Sequence, residues 1–177
     1  MRVVAGNIKG RRLRGPKVGD MSIRPTSDKA KEAIFSILQR YATGPFLDLF
    51  SGTGAIALEA WSRGYRPVTC VENQQSAISC IENNVRGTEI KIITNDIQHL
   101  SSNSFKNQAV IFADPPYEYS TSLWATVAPL IHNWLAPNCG VLVWETNKNT
   151  NLERVKDLSL IGTRYYGYNA FHIFSTI

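Results

Sequence analysis

Asp114-Pro115-Pro116-Tyr117 follows an apolar run, Val110-Ile111-Phe112-Ala113, and joins an acid, two prolines and an aromatic ring. Proline fixes φ at about −65° and removes an N–H donor, so such a loop is stiff and rich in acceptors. A carboxylate and a nearby backbone carbonyl can accept the two N–H bonds of an exocyclic amino group while the ring stacks on the base that carries it. A second stretch, Phe46-Leu47-Asp48-Leu49-Phe50-Ser51-Gly52-Thr53-Gly54-Ala55, runs from an apolar strand through two glycines into a helix. Glycines there let the backbone approach a ligand, and the first helical turn presents unpaired N–H groups, an arrangement suited to a nucleotide-like ligand. The dinucleotide fingerprint is missing, because Ala55-Ile56-Ala57-Leu58 stands where x-x-Gly would be. Glu72 closes the next apolar run about 20 residues past the glycines, where doubly wound folds place an acid for the ribose hydroxyls. Asp96 follows a third run, in Thr94-Asn95-Asp96-Ile97.

Each of these acids alone could be a helix N-cap; their joint placement depends on the elements that carry them. Thr26-Ser27-Asp28 offers caps for a helix with apolar positions Ala30, Ala33, Ile34, Ile37, Leu38 and Tyr41, ended by Gly44-Pro45. Strands are expected at Phe46–Phe50, Val68–Glu72, Ile90–Thr94, Ala109–Ala113 and Gly140–Trp144, with helices at Ala55–Arg63 and about Gln75–Val85. A helical segment runs from Tyr117 to about Leu135, and Pro129 is expected to break it or to start its second half. Leu158–Tyr166 and Asn169–Thr176, around Gly167, read as a closing antiparallel hairpin. Strands alternating with helices predict an α/β fold of parallel βαβ units, with helices on both faces of the sheet. Asp48, Gly52, Gly54, Glu72, Asp96 and Asp114 then share the carboxyl edge of one sheet, where such folds bind ligands.

The chain's 177 residues suit a single core, and its 44% hydrophobic and 19% charged residues are ordinary for a soluble globular protein. No apolar run approaches the ~20 residues of a membrane span, and no apolar segment follows the basic N-terminus as a secretory signal requires, so the cytoplasm is the expected compartment. Cys70, Cys80 and Cys139 are odd in number and lie outside any C-x-x-C, and His99, His132 and His172 are scattered; neither a disulfide framework nor a metal site is expected. Charge is uneven. Arg2, Lys9, Arg11, Arg12, Arg14, Lys17 and Arg24 face the single acid Asp20, while the whole chain carries +5, so the remainder is close to neutral. A basic head on a neutral body suits a polyanion, whose counterions are released on binding. Val3, Val4 and Leu13, punctuated by Gly6-Asn7, Gly10 and Gly15-Pro16, predict a short β-hairpin with an arginine-rich surface.

The Asp-Pro-Pro-Tyr loop and the glycine loop together resemble the S-adenosylmethionine-dependent amino-methyltransferases with an Asp/Asn-Pro-Pro-aromatic motif. With Arg2-Val-Val-Ala-Gly-Asn-Ile-Lys-Gly-Arg-Arg-Leu13 and Arg24-Pro-Thr26, the resemblance over nearly the full chain is to the RsmD-type small-subunit (16S) rRNA guanine-N2 methyltransferases. It implies a Rossmann-like fold with a seven-stranded mostly parallel sheet, an antiparallel C-terminal hairpin, a basic N-terminal extension over residues 1–24 and a methyltransferase domain over residues 25–177. Asp48, Phe50, Ser51, Gly52, Thr53 and Gly54 would shape the methionine side of the cofactor pocket, Glu72 and Asn73 the ribose side, and Asp96 with Ile97 the adenine side. Arg24, Pro25 and Thr26 would close over the cofactor. Asp114, Pro115 and Pro116 would orient the target amine, and Tyr117, where the family usually has Phe, would stack on the base. Arg2, Lys9, Arg11, Arg12 and Arg14 would grip the RNA, either free or within an assembling subunit. S-adenosylhomocysteine would be the product, and a monomer is the expected state.

Three other readings share parts of this pattern. An adenine-N6 DNA or RNA methyltransferase would use the same pocket, although 177 residues leave no room for a sizeable target-recognition domain. A non-catalytic nucleic-acid-binding module would have a vestigial cofactor pocket. An NAD(P)-dependent oxidoreductase would need the missing third glycine.

Overall fold

The computed structural model describes residues 1–15 and 26–177. Helix α1 (Asp28–Leu38) starts at Ser27, whose hydroxyl accepts the Ala30 N–H at 3.1 Å. The chain then alternates through β1 (Phe46–Leu49), α2 (Ala55–Ser62), β2 (Val68–Glu72), α3 (Gln75–Asn84) and β3 (Lys91–Thr94). A 3-10 turn at Ile97–His99 leads toward β4 (Val110–Ala113), and a second at Tyr117–Tyr119 leads into α4 (Ser120–Trp134). The chain closes with β5 (Val141–Asn147), β6 (Leu158–Tyr166) and β7 (Asn169–Thr176).

All seven strands form one sheet, ordered β3-β2-β1-β4-β5-β7-β6. The first five are mutually parallel, and β7 runs antiparallel to both of its neighbours. Side chains alternate between two cores. Phe46, Val68, Val110, Val143 and Phe171 pack with residues of α1, α2 and α3 on one face. Leu47, Val71, Ile111, Trp144 and Phe174 pack with α4 on the other. The expected mostly parallel sheet, two-faced helical cover and C-terminal hairpin are present. No helix among the described residues is long and apolar enough to cross a membrane.

Several details differ from the sequence expectation: β1 stops at Leu49 and α2 at Ser62, α4 begins at Ser120 behind the Tyr117–Tyr119 turn, and β5 runs on to Asn147. Helix α1 ends at Leu38, short of Tyr41, and the Tyr41 N–H turns back to the Leu38 carbonyl at 3.0 Å. Pro129 lies inside α4 without ending it. Leu123, Trp124, Val127, Ala128, Ile131 and Trp134 keep one buried stripe through the helix, whereas Pro129 is on the exposed side, where water can solvate the carbonyl it leaves unpaired.

The basic N-terminal segment folds back antiparallel through an Arg2–Arg12 bridge, with the Val3 N–H donating to the Arg11 carbonyl and the Gly10 N–H to the Val3 carbonyl, both at 2.9 Å. Val3 and Leu13 are buried in the α1–α3 core. Glu59 of α2, fully buried, accepts the Val4 and Ala5 N–H groups at 2.7 and 2.9 Å and the Arg63 Nε–H at 2.8 Å. Ser62 adds bonds to Ala5, Asn7 and Ile8. Gly6 is needed at this contact: its φ is +85°, and a Cβ would lie 1.9 Å from the Ser62 carbonyl oxygen.

Candidate functional site

Strand order reverses between β1 and β4, and the carboxyl ends of these strands open a crevice at that switch point. A cavity of about 450 Å³ lies beside it, within the ordinary range for a small-molecule site. Phe50, Val71, Ile97 and Leu123 supply apolar wall; Glu72, Asn73, Asn95, Asp96 and Gln98 supply polar groups; Pro116 and Tyr119 come from the loop after β4. Phe50 is held at φ +59°, an uncommon region for a non-glycine residue and one that concentrates at functional sites. Its ring meets Trp144 edge-on at 6.2 Å.

The acids have distinct local partners. Asp48 is buried, and its Oδ2 accepts the Ala57 N–H at 3.0 Å, so a strand residue caps the first turn of α2. Burial pushes its carboxyl pKa well up; the charges of Asp114 and Glu72 add to the rise, and the Ala57 bond opposes it. Glu72 accepts the Gly52 N–H at 2.8 Å on one oxygen and the Asn73 and Gln74 N–H groups at 2.8 and 2.9 Å on the other. These three bonds tie the glycine loop to α3 and leave acceptor capacity on a carboxylate that offers about four lone-pair sites. Asp96 caps the Ile97–His99 turn through the Gln98 N–H at 2.9 Å and accepts the Asn73 side-chain amide at 3.2 Å. Gly54 has φ +73°, and a Cβ there would press on Ile81 at 3.3 Å; this glycine serves the turn and the α3 packing.

In the loop after β4, Asp114 is partly exposed, Pro115 is buried and Pro116 is exposed at the cavity. The Tyr117 hydroxyl donates to Asn169 Oδ1 at 3.1 Å and lies 3.4 Å from Glu145 Oε1, and the Asn169 side-chain amide donates to Glu145 at 2.5 Å. The ring is thereby oriented by two strands distant in sequence.

Of the residues expected from sequence, Phe50, Glu72, Asn73, Asp96, Ile97 and Pro116 line the cavity. Ser51, Gly52, Thr53 and Gly54 form the β1–α2 connection and Asp48 lies on β1, and none of the five lines the cavity. Thr26 precedes α1 and does not line the cavity, whereas Arg24 and Pro25 lie outside the described residues. Sequence reasoning passed over Gln98 and Tyr119, which sit one and two positions beyond residues it named, and Glu145, an acid within an apolar strand.

The donor set fits S-adenosylmethionine. Among the described residues lining the cavity there is no lysine or arginine, and Glu72 and Asp96 bring carboxylates to a slot walled by both apolar and neutral polar groups. That field suits a cationic sulfonium and an adenosine and is unfavourable to a pyrophosphate.

The basic residues lie on the same side as α2 and α3. Arg2 pairs with Asp28 at 3.2 Å, the Arg11 guanidinium donates to the Arg86 carbonyl at 2.8 Å, and the Arg14 backbone is clasped by the Asn84 side chain. Lys9, Arg12 and Arg14 are exposed. Met1 reaches the glycine loop, its sulfur 3.8 Å from the Thr53 hydroxyl.

Strand order, the lone antiparallel β7 and the cavity at the switch point put the protein among the Rossmann-like methyltransferase folds. The solved "Putative methyltransferase yhhF from Escherichia coli" superposes with a TM-score of 0.84 over 99% of this chain and 97% of that one, at 21% identity, a likeness of fold. The family profile described as "Conserved hypothetical protein 95" matches residues 1–175. The "Putative rRNA methyltransferase YlbH" of Bacillus subtilis (strain 168) is 32% identical over 98% of both chains. The "Ribosomal RNA small subunit methyltransferase D" of Haemophilus influenzae is 28% identical over 98% of this chain and 93% of its own. The chain belongs to this family, the RsmD-type methyltransferases.

Proposed function

We propose that this protein transfers a methyl group from S-adenosylmethionine to the exocyclic N2 amino group of a guanine in small-subunit ribosomal RNA. The observation that carries the reading is the Asp114–Tyr117 loop, braced at the switch point beside a cavity whose described lining holds no cation. The names of the two relatives support ribosomal RNA as the substrate class.

Phe50, Glu72, Asn73, Asp96 and Ile97 would hold the cofactor, and Asp48 with the Ser51–Gly54 turn would shape its methionine side. When bound, S-adenosylmethionine supplies a methyl carbon made electrophilic by the attached sulfonium, and S-adenosylhomocysteine is released. The guanine amine is a poor nucleophile because its lone pair is delocalised into the ring. Asp114 and a carbonyl of the Pro115–Pro116 segment accept its two N–H bonds, which favours a pyramidal nitrogen and aims the lone pair for in-line attack. Tyr117 stacks on the base. Asp114 also stabilises the positive charge that develops on nitrogen, a larger effect than proton removal because the methylated ammonium loses its proton readily. The base reaches this loop only when flipped out or unpaired, with Arg2, Lys9, Arg11, Arg12 and Arg14 holding the surrounding phosphates.

Asp114→Ala tests the assignment. Methyl transfer to small-subunit rRNA is expected to fall by about 10²-fold or more while cofactor affinity changes little. Equal losses of rate and cofactor affinity would place Asp114 in cofactor binding instead.

A further inference from the structure

Among the described residues, the exposed large aromatics are Tyr119, Tyr165, Tyr166 and Tyr168, at 58%, 65%, 44% and 79% exposure. All four lie at the carboxyl edge of the sheet. Tyr119 lines the cavity. The other three flank Gly167 in the β6–β7 turn, where β7 begins at Asn169, paired with Asn147 at the end of β5 and with Tyr166 at the end of β6. Single exposed aromatics are ordinary, whereas Tyr166 and Tyr168, exposed together at a turn next to the residue that holds the Tyr117 hydroxyl, mark a binding surface. This cluster also carries positive charge: the Lys148 ammonium sits 5.3 Å from the Tyr168 ring centroid, and Arg164, exposed, precedes Tyr165 on β6. It is continuous with the target loop, because the Tyr117 hydroxyl donates to Asn169, the residue after Tyr168.

We propose that the β6–β7 turn is a stacking platform for unpaired nucleotides flanking the methylated base, with Tyr166 and Tyr168 carrying bases and Lys148 and Arg164 meeting phosphates. The inference rests on the reading of the protein as an RNA methyltransferase. An RNA strand that delivers its base to Tyr117 must continue across a neighbouring surface, and this turn adjoins that ring. Tyrosines bind bases of any identity through their faces, so the platform holds the strand and leaves the choice of base to the Asp114 loop.

The test measures the affinity of the full chain for a small-subunit rRNA fragment with a single-stranded loop, by fluorescence anisotropy at several salt concentrations. Tyr166→Ala/Tyr168→Ala is expected to weaken binding about 10-fold or more, and Tyr168→Ala alone, which leaves the Tyr166–Phe171 packing intact, about 5-fold. The corresponding Phe variants should bind as wild type. The slope of affinity against salt should stay unchanged, because no phosphate contact is removed. Unchanged affinity in the Ala variants would overturn the platform, as would equal losses in the Phe variants. A loss seen only with particles that contain ribosomal proteins would assign the surface to a protein partner. Methyl transfer to RNA by the wild type, measured in parallel, separates the two proposals. Normal transfer with unchanged Ala-variant affinity refutes only the platform, and absent transfer with weakened Ala-variant affinity refutes only the enzymatic reading.

Discussion

Glu59→Gln should release the basic N-terminal segment from the body of the protein. The wild-type carboxylate, with no solvent exposure, accepts Val4, Ala5 and Arg63 within 2.9 Å. Glutamine fills the same volume but offers one acceptor oxygen, and its NH₂ must face a second backbone N–H. One charge-assisted bond is lost and one buried donor is left unpaired, a cost of about 3 kcal/mol. Release also uncovers Val3 and Leu13, which share a core with Phe35 and Leu58, so the loss registers in global unfolding. At about 2–4 °C per kcal/mol for a domain of this size, the melting midpoint should fall by about 6–12 °C. Thermal unfolding by circular dichroism, with RNA binding measured at a temperature where both proteins are folded, checks this. A midpoint within about 2 °C of wild type, together with unchanged RNA affinity, would refute the anchoring role.

Neutralising Arg11, Arg12 and Arg14 together should weaken RNA binding and flatten its dependence on salt, as read by titrations over a range of ionic strength, with up to three fewer counterions released if each contacts a phosphate. Asp48→Asn keeps an acceptor for the Ala57 N–H and removes a buried ionisable carboxyl. Because burial raises the folded pKa of this acid, its ionisation costs stability above that pKa; the cost is relieved as pH falls through the folded value toward the unfolded value of about 3.8. Melts across acid and neutral pH should therefore show the variant gaining on wild type at neutral pH and losing that gain on acidification, while its cofactor affinity is weakened. Gly6→Ala should act like Glu59→Gln, lowering the melting midpoint, since a Cβ would collide with the Ser62 backbone at a positive φ.

Strand and helix order was legible because the apolar runs from Phe46 to Trp144 alternate with helical spacing, and local pattern decides both. The end of α4 near Leu135 was legible too, but its continuity was not, because Pro129 is a local stop signal overruled by a buried stripe that only tertiary packing reveals. In the site, Gly52, Glu72 and Asp96 were readable from their positions after strands. Their hydrogen bonds were not: Glu72 and Asp96 brace the backbone as well as face the cavity, two roles that one residue type at one position leaves unresolved. Glu59, Glu145 and Asn169 escaped because each acts on a segment at least 24 residues away, and no spacing rule spans such distances.

The most direct measurement is to incubate the protein with methyl-labelled S-adenosylmethionine and small-subunit rRNA, free and in partly assembled particles, then digest to nucleosides and identify the labelled one. Label on N2-methylguanosine is predicted; label on N6-methyladenosine, or none in either form of the RNA, would contradict the account.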